Sequence, residues 1–412
     1  MKKVLLLLAL LTFPSAAIPQ CGGLGADFFG LTFLQSSVAP TVPSKILRLW
    51  DTFNPNAAGW NASSNACGTP NFTAVNAWIA KAQSLGEDVM WTGGRTPSCA
   101  ITGDGGACTG TYAPNGCAQP PSDLTTTDAQ WKNFITALVN DSLAQPLHIK
   151  YYECVNEFDL AGEWTDTMAH LVTFCGDMQT TIHNLDPNAI VLGPSSSTGN
   201  TFGVHGYSTY IPAGGDATYD QANFHLYIEG CGTFCDTPEG IGGGSGGIYE
   251  YITQGRLLTA KPITWSEGSW GCNAGNTITD VKKRAWIARS YLILWGTNNG
   301  NSRFVWYDWA TTNPLGSSCG TLNVCPTCMV AYQTIQPWII GSSGPNLTKS
   351  GTQVTITYTN QSLTPNEIHW DTTSTPTITV PSQYTIQDKV DGTSTAIVSN
   401  QITLGPDPIR IR

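Results

Sequence analysis

Short strand-like and helix-like stretches alternate along most of this chain, and that alternation restricts the fold more than any other feature. Strand candidates fall at 27–33, 45–50, 88–92, 149–155, 189–192, 221–227, 262–266 and 302–307. Between them lie apolar stripes at helical spacing. Val75, Trp78, Ile79, Ala82 and Leu85 share one face within 73–85, and Gly86 follows as a stop. Trp131, Phe134, Ile135, Leu138 and Val139 do so within 128–143, and Met168, Leu171, Cys175, Met178, Ile182 and Leu185 within 166–185. A fourth stripe, Val281, Ala285, Ala288, Tyr291, Leu292 and Trp295, occupies 279–295, with Gly296 behind it. These stripes are core packing and carry no function. Strands joined through helices make a parallel sheet. Eight such units over about 310 residues predict an α/β protein, a (β/α)8 TIM barrel.

Near residue 335 the pattern changes. Val354, Ile356 and Tyr358 alternate with Thr, the runs 377–380 and 402–404 behave likewise, and turn signals at Thr364-Pro365-Asn366 and Asp391-Gly392 separate them. Residues 336–412 therefore read as a small C-terminal antiparallel β-sandwich beside a barrel over 18–335, with residues just after the leader lending it a strand. The Gly-rich run at 240–247 has neither a GxGxxG pattern nor a following Lys-Ser/Thr, so it reads as a flexible loop on the upper face of the barrel.

Lys2 and Lys3 precede an apolar run over 4–13, and Ser15, Ala16 and Ala17 offer a small-residue cleavage site. Residues 1–17 read as an export signal, too short to span a bilayer. Pro19 and Gln20 make a poor lipoprotein box before Cys21, and no later run is long and apolar enough to cross a membrane. A secreted or periplasmic protein is expected. The formal charge of −10, with only 12% charged residues, offers no basic patch for phosphates and excludes nucleic acid as a partner. Sequons at Asn61, Asn71, Asn140, Asn346 and Asn360 matter only in a host that glycosylates. Oligomeric state leaves no mark in the sequence.

Thirteen cysteines in an exported chain point to disulfides. Cys231 with Cys235, the group Cys319, Cys325 and Cys328, and the group Cys99, Cys108 and Cys117 are close enough to staple loops. The odd count leaves at least one thiol without an intrachain partner, and Cys154 and Cys175, one in a strand and one in a helix, are the candidates. A zinc site is disfavoured, because no second cysteine cluster or His pair has ligand spacing. Most of the 14 Trp are core residues, and the rest suit the flat faces of sugars.

In such a barrel, functional side chains sit at the C-terminal ends of strands. Two strands here end in glutamates: the fourth, Tyr151-Tyr152-Glu153-Cys154-Val155-Asn156-Glu157, and the seventh, Pro262-Ile263-Thr264-Trp265-Ser266-Glu267. Cleaving a glycosidic bond takes two carboxyl groups, one to protonate the leaving oxygen and one to attack the anomeric carbon or activate a water. Asn156 beside Glu157 adds an amide for the sugar 2-hydroxyl. The bland alternative makes both glutamates exposed loop carboxylates.

These motifs resemble those of clan A glycoside hydrolases over most of residues 25–335, nearest to family 39 and related exopolysaccharide-degrading glycosidases. The strand-4 segment above and Thr264-Trp265-Ser266-Glu267-Gly268-Ser269-Trp270 carry the resemblance, and Phe158 departs from it where the family usually has Pro. The resemblance implies Glu157 as general acid/base and Glu267 as nucleophile of a retaining glycosidase, with the carboxyls about 5–5.5 Å apart. Glu157 would be kept protonated by nearby negative charge and partial burial. Arg48 would hold the nucleophile, and an Arg in so apolar a strand independently calls for a buried anion. His225 and Tyr227 would lie near the nucleophile, with a satisfied core imidazole as the lesser alternative for His225. Trp306 or Trp309 would form the sugar platform. An oligo- or polysaccharide is the expected partner, and no metal or organic cofactor is needed. A non-catalytic sugar-binding barrel, a transglycosylase using the same residues, and adhesion through the β module are the alternatives.

Overall fold

The structure, a computed structural model, describes residues 25–32, 39–50, 59–63, 67–101, 107–110, 113, 116–197, 205–227, 238–240, 247–270, 279–309 and 321–412. The expected leader, the segment just behind it and residues 241–246 of the Gly-rich run lie outside them. The elements run β1 (Phe29–Thr32), β2 (Ile46–Leu49), α1 (Trp60–Ser63), α2 (Thr73–Leu85), β3 (Asp88–Thr92), α3 (Ser98–Ile101), α4 (Ala129–Leu143) and β4 (Ile149–Glu153). Then come α5 (Met168–Leu185), β5 (Ile190–Leu192), α6 (His205–Tyr210), β6 (Ala222–Tyr227), α7 (Gly247–Leu258), β7 (Ile263–Ser269), α8 (Asp280–Gly296), β8 (Asn301–Tyr307) and α9 (Pro326–Ile339).

The eight strands form one parallel sheet in the order β5-β4-β3-β2-β1-β8-β7-β6. Parallel bridges from Leu192 to Gln221 and from Ser196 to Phe224 join its two ends and close the barrel. Side chains alternate across each strand. On β8, Val305 points into an inner layer with Ile46, Met90, Tyr151 and Leu192, whereas Phe304 and Trp306 join the core between sheet and helices. Local signals set the helix ends. Thr167 caps α5 by accepting the His170 N–H, and α2 stops at Gly86, whose φ of 71° suits a residue without Cβ.

The β module follows α9: β9 (Ser343–Ser350), β10 (Gln353–Thr359), β11 (Pro365–Asp371), β12 (Thr377–Thr379), β13 (Ile386–Lys389), β14 (Ser394–Ala396), β15 (Gln401–Thr403) and β16 (Ile409–Ile411). Six strands make an antiparallel sheet ordered β14-β13-β16-β11-β10-β9, and β12 pairs with β15 as a second small sheet. Val380, Tyr384, Ile402, Leu404, Ile409 and Ile411 form the core between these layers. The opposite face of the large sheet is also covered. Val354, Ile356, Tyr358 and Trp370 belong to the same hydrophobic core as the barrel. A Cβ on Gly296 of α8 would lie 2.8 Å from Ile356, so the helix and the module touch. This cover explains why α8 is buried almost all round.

Two helices depart from the sequence pattern. The buried stripe of α7, Ile248, Tyr251 and Ile252, is interrupted by Gly255, where a Cβ would come within 3.3 Å of Phe224. In α9 the stripe Tyr332, Ile335, Trp338 and Ile339 is masked by Pro326 at the start and Pro337 in the last turn. The thiol expectation is corrected. Cys154 and Cys175 are disulfide-bonded to each other, because α5 packs back on the strand it follows and brings their Cα atoms to 5.6 Å. Cys67–Cys99, Cys108–Cys117 and Cys325–Cys328 are further disulfides, whereas Cys231, Cys235 and Cys319 lie outside the described residues. Among the described residues no helix is long and apolar enough to cross a membrane.

Candidate active site

β2 turns Arg48 inward, β4 turns Glu153, β6 turns His225 and Tyr227, and β7 turns Glu267, so all five meet at one end of the barrel. The register between β6 and β7 explains Glu267. Phe224 pairs with Trp265 and His225 with Glu267, which leaves Ser266 as an extra residue. This bulge aims both Ser266 and Glu267 at the interior, a known use of bulges beside functional sites. Gly268 then lets the strands close up, since a Cβ there would lie 2.3 Å from the Leu226 carbonyl oxygen.

Glu157 stands beyond the end of β4 with φ of 44°, an uncommon conformation for a residue with a side chain. The end of β5 holds it there: Glu157 N–H donates to Ser195 Oγ at 2.9 Å and Phe158 N–H to the Ser195 carbonyl at 3.1 Å. A Pro at 158 could not make the second bond. The Phe158 ring packs against Tyr207 and Tyr210.

Arg48 is fully buried and links the other groups. Its Nη1 donates to Glu267 Oε2 at 2.5 Å, its Nε and Nη2 to Glu153 Oε2 at 3.0 and 2.8 Å, and its Nη2 also to Asn156 Oδ1 at 2.8 Å. A guanidinium only donates, so this contact fixes the Asn156 amide with its oxygen on Arg48 and its NH2 on the far side. Tyr227 donates its hydroxyl to Glu267 Oε1. His225 Nδ1 lies 2.9 Å from Glu157 Oε1, while its Nε2 is 3.9 Å from Glu267 and 4.0 Å from Glu153, beyond hydrogen-bond reach. One ligand atom from each of Glu157, His225 and Glu267 lies within 4.8 Å of the other two. That spacing would also suit a metal ion, but Arg48 already sits on Glu267 and opposes a second cation.

The charges follow from this wiring. Burial alone would raise the Glu267 pKa, but His225 and Arg48, with hydrogen bonds from Tyr227 and Arg48, bring it below the ordinary carboxylate value. Burial works against the His225 cation, yet Glu267 and Glu157 raise its pKa above that of a free imidazole. Burial and the Glu267 charge hold the Tyr227 phenol far above its usual pKa, so it remains a donor. The site thus offers an ionised carboxylate, held by two donors, facing a second carboxyl group bonded to an imidazole.

The sugar platform expected from Trp306 or Trp309 needs correction. Trp306 is fully buried on the outward side of β8 against Tyr291 and Trp270, because its neighbour Tyr307 takes the inward position. Trp309 is 1% exposed and packs in the main core. Among the described residues, the rings at the site are Tyr307, edge-on to Tyr227, and Trp50, which contacts Tyr307 and carries the guanidiniums of Arg48 and Arg95 each 5.5 Å from its centre. Strand alternation, applied to β8 from Arg303 through Val305, already points Tyr307 inward. Glu153, Arg95 and Glu163 complete the set that motif reading passed over. Glu153 accepts from Arg48 and from Thr92 Oγ1 at 2.8 Å, and Arg95 is ion-paired to Glu163.

Fold and site together define a (β/α)8 barrel with interlocked carboxylates at its mouth. No protein-family model matches the chain, and no curated protein matches it by sequence. Solved structures do resemble it. A family 39 glycoside hydrolase from Bacteroides cellulosilyticus WH2 superposes with a TM-score of 0.71 at 15% identity, covering 94% of this chain and 81% of that one. A GH39 β-xylosidase from Caulobacter crescentus gives a TM-score of 0.57 at 13% identity over 94% and 96% of the two chains. The catalytic domain of GH30 xylanase C from Talaromyces cellulolyticus gives 0.56 at 12% over 95% and 96%. At such identities the likeness is one of fold.

Proposed function

We propose that this protein is an exported retaining glycosidase acting on an oligo- or polysaccharide, with Glu267 as nucleophile and Glu157 as general acid/base. The observation that carries the reading is the 4.8 Å grouping of Glu157, His225 and Glu267 oxygens and nitrogen. Retaining glycosidases hold their carboxyls about 5–5.5 Å apart, whereas inverting ones leave about 6.5–9.5 Å for a water. The solved relatives that share the fold are named as glycoside hydrolases, which supports the same chemistry here.

In this reading Glu267, ionised and held by Arg48 and Tyr227, attacks the anomeric carbon while Glu157 protonates the leaving oxygen. Glu157 then takes a proton from the incoming water as the glycosyl–Glu267 bond breaks. The Asn156 amide meets the sugar 2-hydroxyl, and Trp50 and Tyr307 take the place of the expected platform. The basic and apolar start at 1–17 and the four disulfides among the described residues support export, since cytosolic proteins rarely keep disulfides.

The test is turnover of a polysaccharide panel by wild type, Glu267→Ala and Glu157→Gln. Each variant should lose on the order of 10⁴-fold in kcat while melting as a folded protein. Wild-type turnover in either variant overturns the assignment. Oligosaccharide binding by wild type without release of reducing ends favours a non-catalytic sugar-binding barrel.

A further inference from the structure

We propose that Asp159 is a positioning residue for Glu157, acting through the segment Ser195-Ser196-Ser197 that leaves β5. This rests on the glycosidase reading and adds to it the device that aims the acid/base.

Glu157 lies on a two-residue excursion of the chain, Asn156-Glu157, and one serine brackets it. The Ser195 N–H donates to the Val155 carbonyl at 2.8 Å, before the excursion, and the Ser195 carbonyl accepts from the Phe158 N–H at 3.1 Å, after it. Between them, Ser195 Oγ accepts the Glu157 N–H at 2.9 Å. Ser195 is fully buried, where losing one of these bonds leaves its partner unsatisfied. Glu157 needs the hold, because its φ of 44° lies in the left-handed region that crowds a Cβ. A relaxed φ would re-aim the side chain and break its contact with His225 Nδ1 at 2.9 Å.

The next residue fixes the imidazole end of that contact. The Ser196 N–H donates to the Asn223 carbonyl at 3.3 Å, and the Ser196 carbonyl accepts from the His225 N–H at 2.9 Å. Two consecutive serines thus set the backbones of Glu157 and His225, so a shift of this segment moves both partners.

Beyond a single bridge from Ser196 to Phe224, the segment belongs to no strand or helix. Asp159 ties it down. Its Oδ2 accepts from Ser196 Oγ and from Ser197 Oγ, each at 3.0 Å, and its Oδ1 from the Ser197 N–H at 2.7 Å. An ionised carboxylate only accepts, which suits three donors, and such charge-assisted bonds are stronger than neutral ones. Helix α6 closes over the contact: a Cβ on Gly206 would lie 3.0 Å from Ser196 Oγ and 3.1 Å from Asp159 Cβ. Because Asp159 follows Glu157 by two residues, the clamp returns onto the turn that carries the acid/base.

The experiment measures kcat/KM for a dinitrophenyl and a phenyl glycoside of whichever sugar or oligosaccharide wild type cleaves fastest. It uses the full chain, Asp159→Asn, Ser195→Ala and Glu157→Gln. In the step this ratio reports, the bond from Glu267 to the anomeric carbon forms as the bond to the leaving oxygen breaks. Dinitrophenolate leaves without a proton, whereas phenolate takes one from Glu157. Glu157→Gln should therefore lose on the order of 100-fold on the phenyl glycoside and little on the other. An Asn at 159 keeps an oxygen for the Ser197 N–H but puts an NH2 where two hydroxyls donate. Asp159→Asn should lose about 10–30-fold on the phenyl glycoside and stay within about twofold on the dinitrophenyl one. Ser195→Ala removes only the oxygen that accepts the Glu157 N–H and should show the same split, so it decides by the same criterion if Asp159→Asn does not fold. A merely structural role acts through the amount of folded enzyme and lowers both substrates together. Equal losses on the two substrates in folded Asp159→Asn, or no loss, overturn this inference and leave the glycosidase reading standing. Failure of wild type to cleave any glycoside, or no split in Glu157→Gln, overturns that reading and this inference with it.

Discussion

The barrel mouth and the C-terminal β module each bury a carboxylate among guanidiniums, yet the two arrangements do different things. In the module, Asp388 accepts from Arg410 at 2.9 and 2.6 Å, from Arg412 at 2.8 Å and from Ser394 at 2.6 Å, tying β13, β14 and β16 together. At the mouth, Glu267 accepts from Arg48 and Tyr227 and has one oxygen within 4.8 Å of an oxygen of Glu157. Both carboxyls titrate below their ordinary values although burial opposes it, Asp388 through Arg412, Ser394 and Arg410, and Glu267 through His225 and Arg48. A depressed pKa therefore does not separate a structural knot from the proposed nucleophile. The opposing carboxyl does.

The contrast predicts opposite losses. Glu267→Ala should abolish turnover, on the order of 10⁴-fold, while the melting temperature stays near that of wild type. Asp388→Ala should leave turnover intact and lower stability by about 1–3 kcal/mol in denaturant titration. Crossed results would mean that the two sites have exchanged roles.

Removing the cations sharpens the point. Arg48→Met should strand Glu153 and Glu267 in the interior, costing about 3–5 kcal/mol and most of the activity. Arg412→Ala should cost less than about 1 kcal/mol, because its side chain is 43% exposed and Arg410 still holds Asp388. Equal losses would show that burial is not the deciding variable.

pH separates the groups by sign. A lowered folded-state pKa gives Asp388 a stabilising contribution that is present at neutral pH and lost as pH falls through that value. Asp128 behaves oppositely. It is buried, neither oxygen has a hydrogen-bond donor, and burial with Asp177 nearby pushes its pKa up to about 8. Its contribution is full in acid and is lost as pH rises from about 4 towards 8. Asp128→Asn should therefore raise stability by about 1–2 kcal/mol at pH 8 and change little at pH 4, read from melts at the two pH values. An equal effect at both would contradict the assignment.

The strands were legible because each is a short apolar run bounded by turn signals, and the long helices because their stripes keep one face. Gly255 hid α7, and Pro326 and Pro337 hid α9. At the mouth, Asn156, Glu157 and Glu267 are legible as polar residues at strand ends and Arg48 as a charge in an apolar strand, whereas His225 and Tyr227 come from the family resemblance; the structure places all six at one end of the barrel. Residue type points to Trp306 or Trp309 for the platform, where strand parity favours Tyr307. Arg95 and Glu163 come from loops 68 residues apart, a pairing that no local pattern encodes. The Cys154–Cys175 disulfide joins a strand to the helix that packs on it, which no local pattern encodes either.

The central claim is that Glu157 and Glu267 carry out a double displacement at one sugar. Following the anomeric proton of the first-formed product by NMR, before mutarotation, tests it most directly. Retention of the substrate's configuration is the predicted result, and an inverted first product would contradict it.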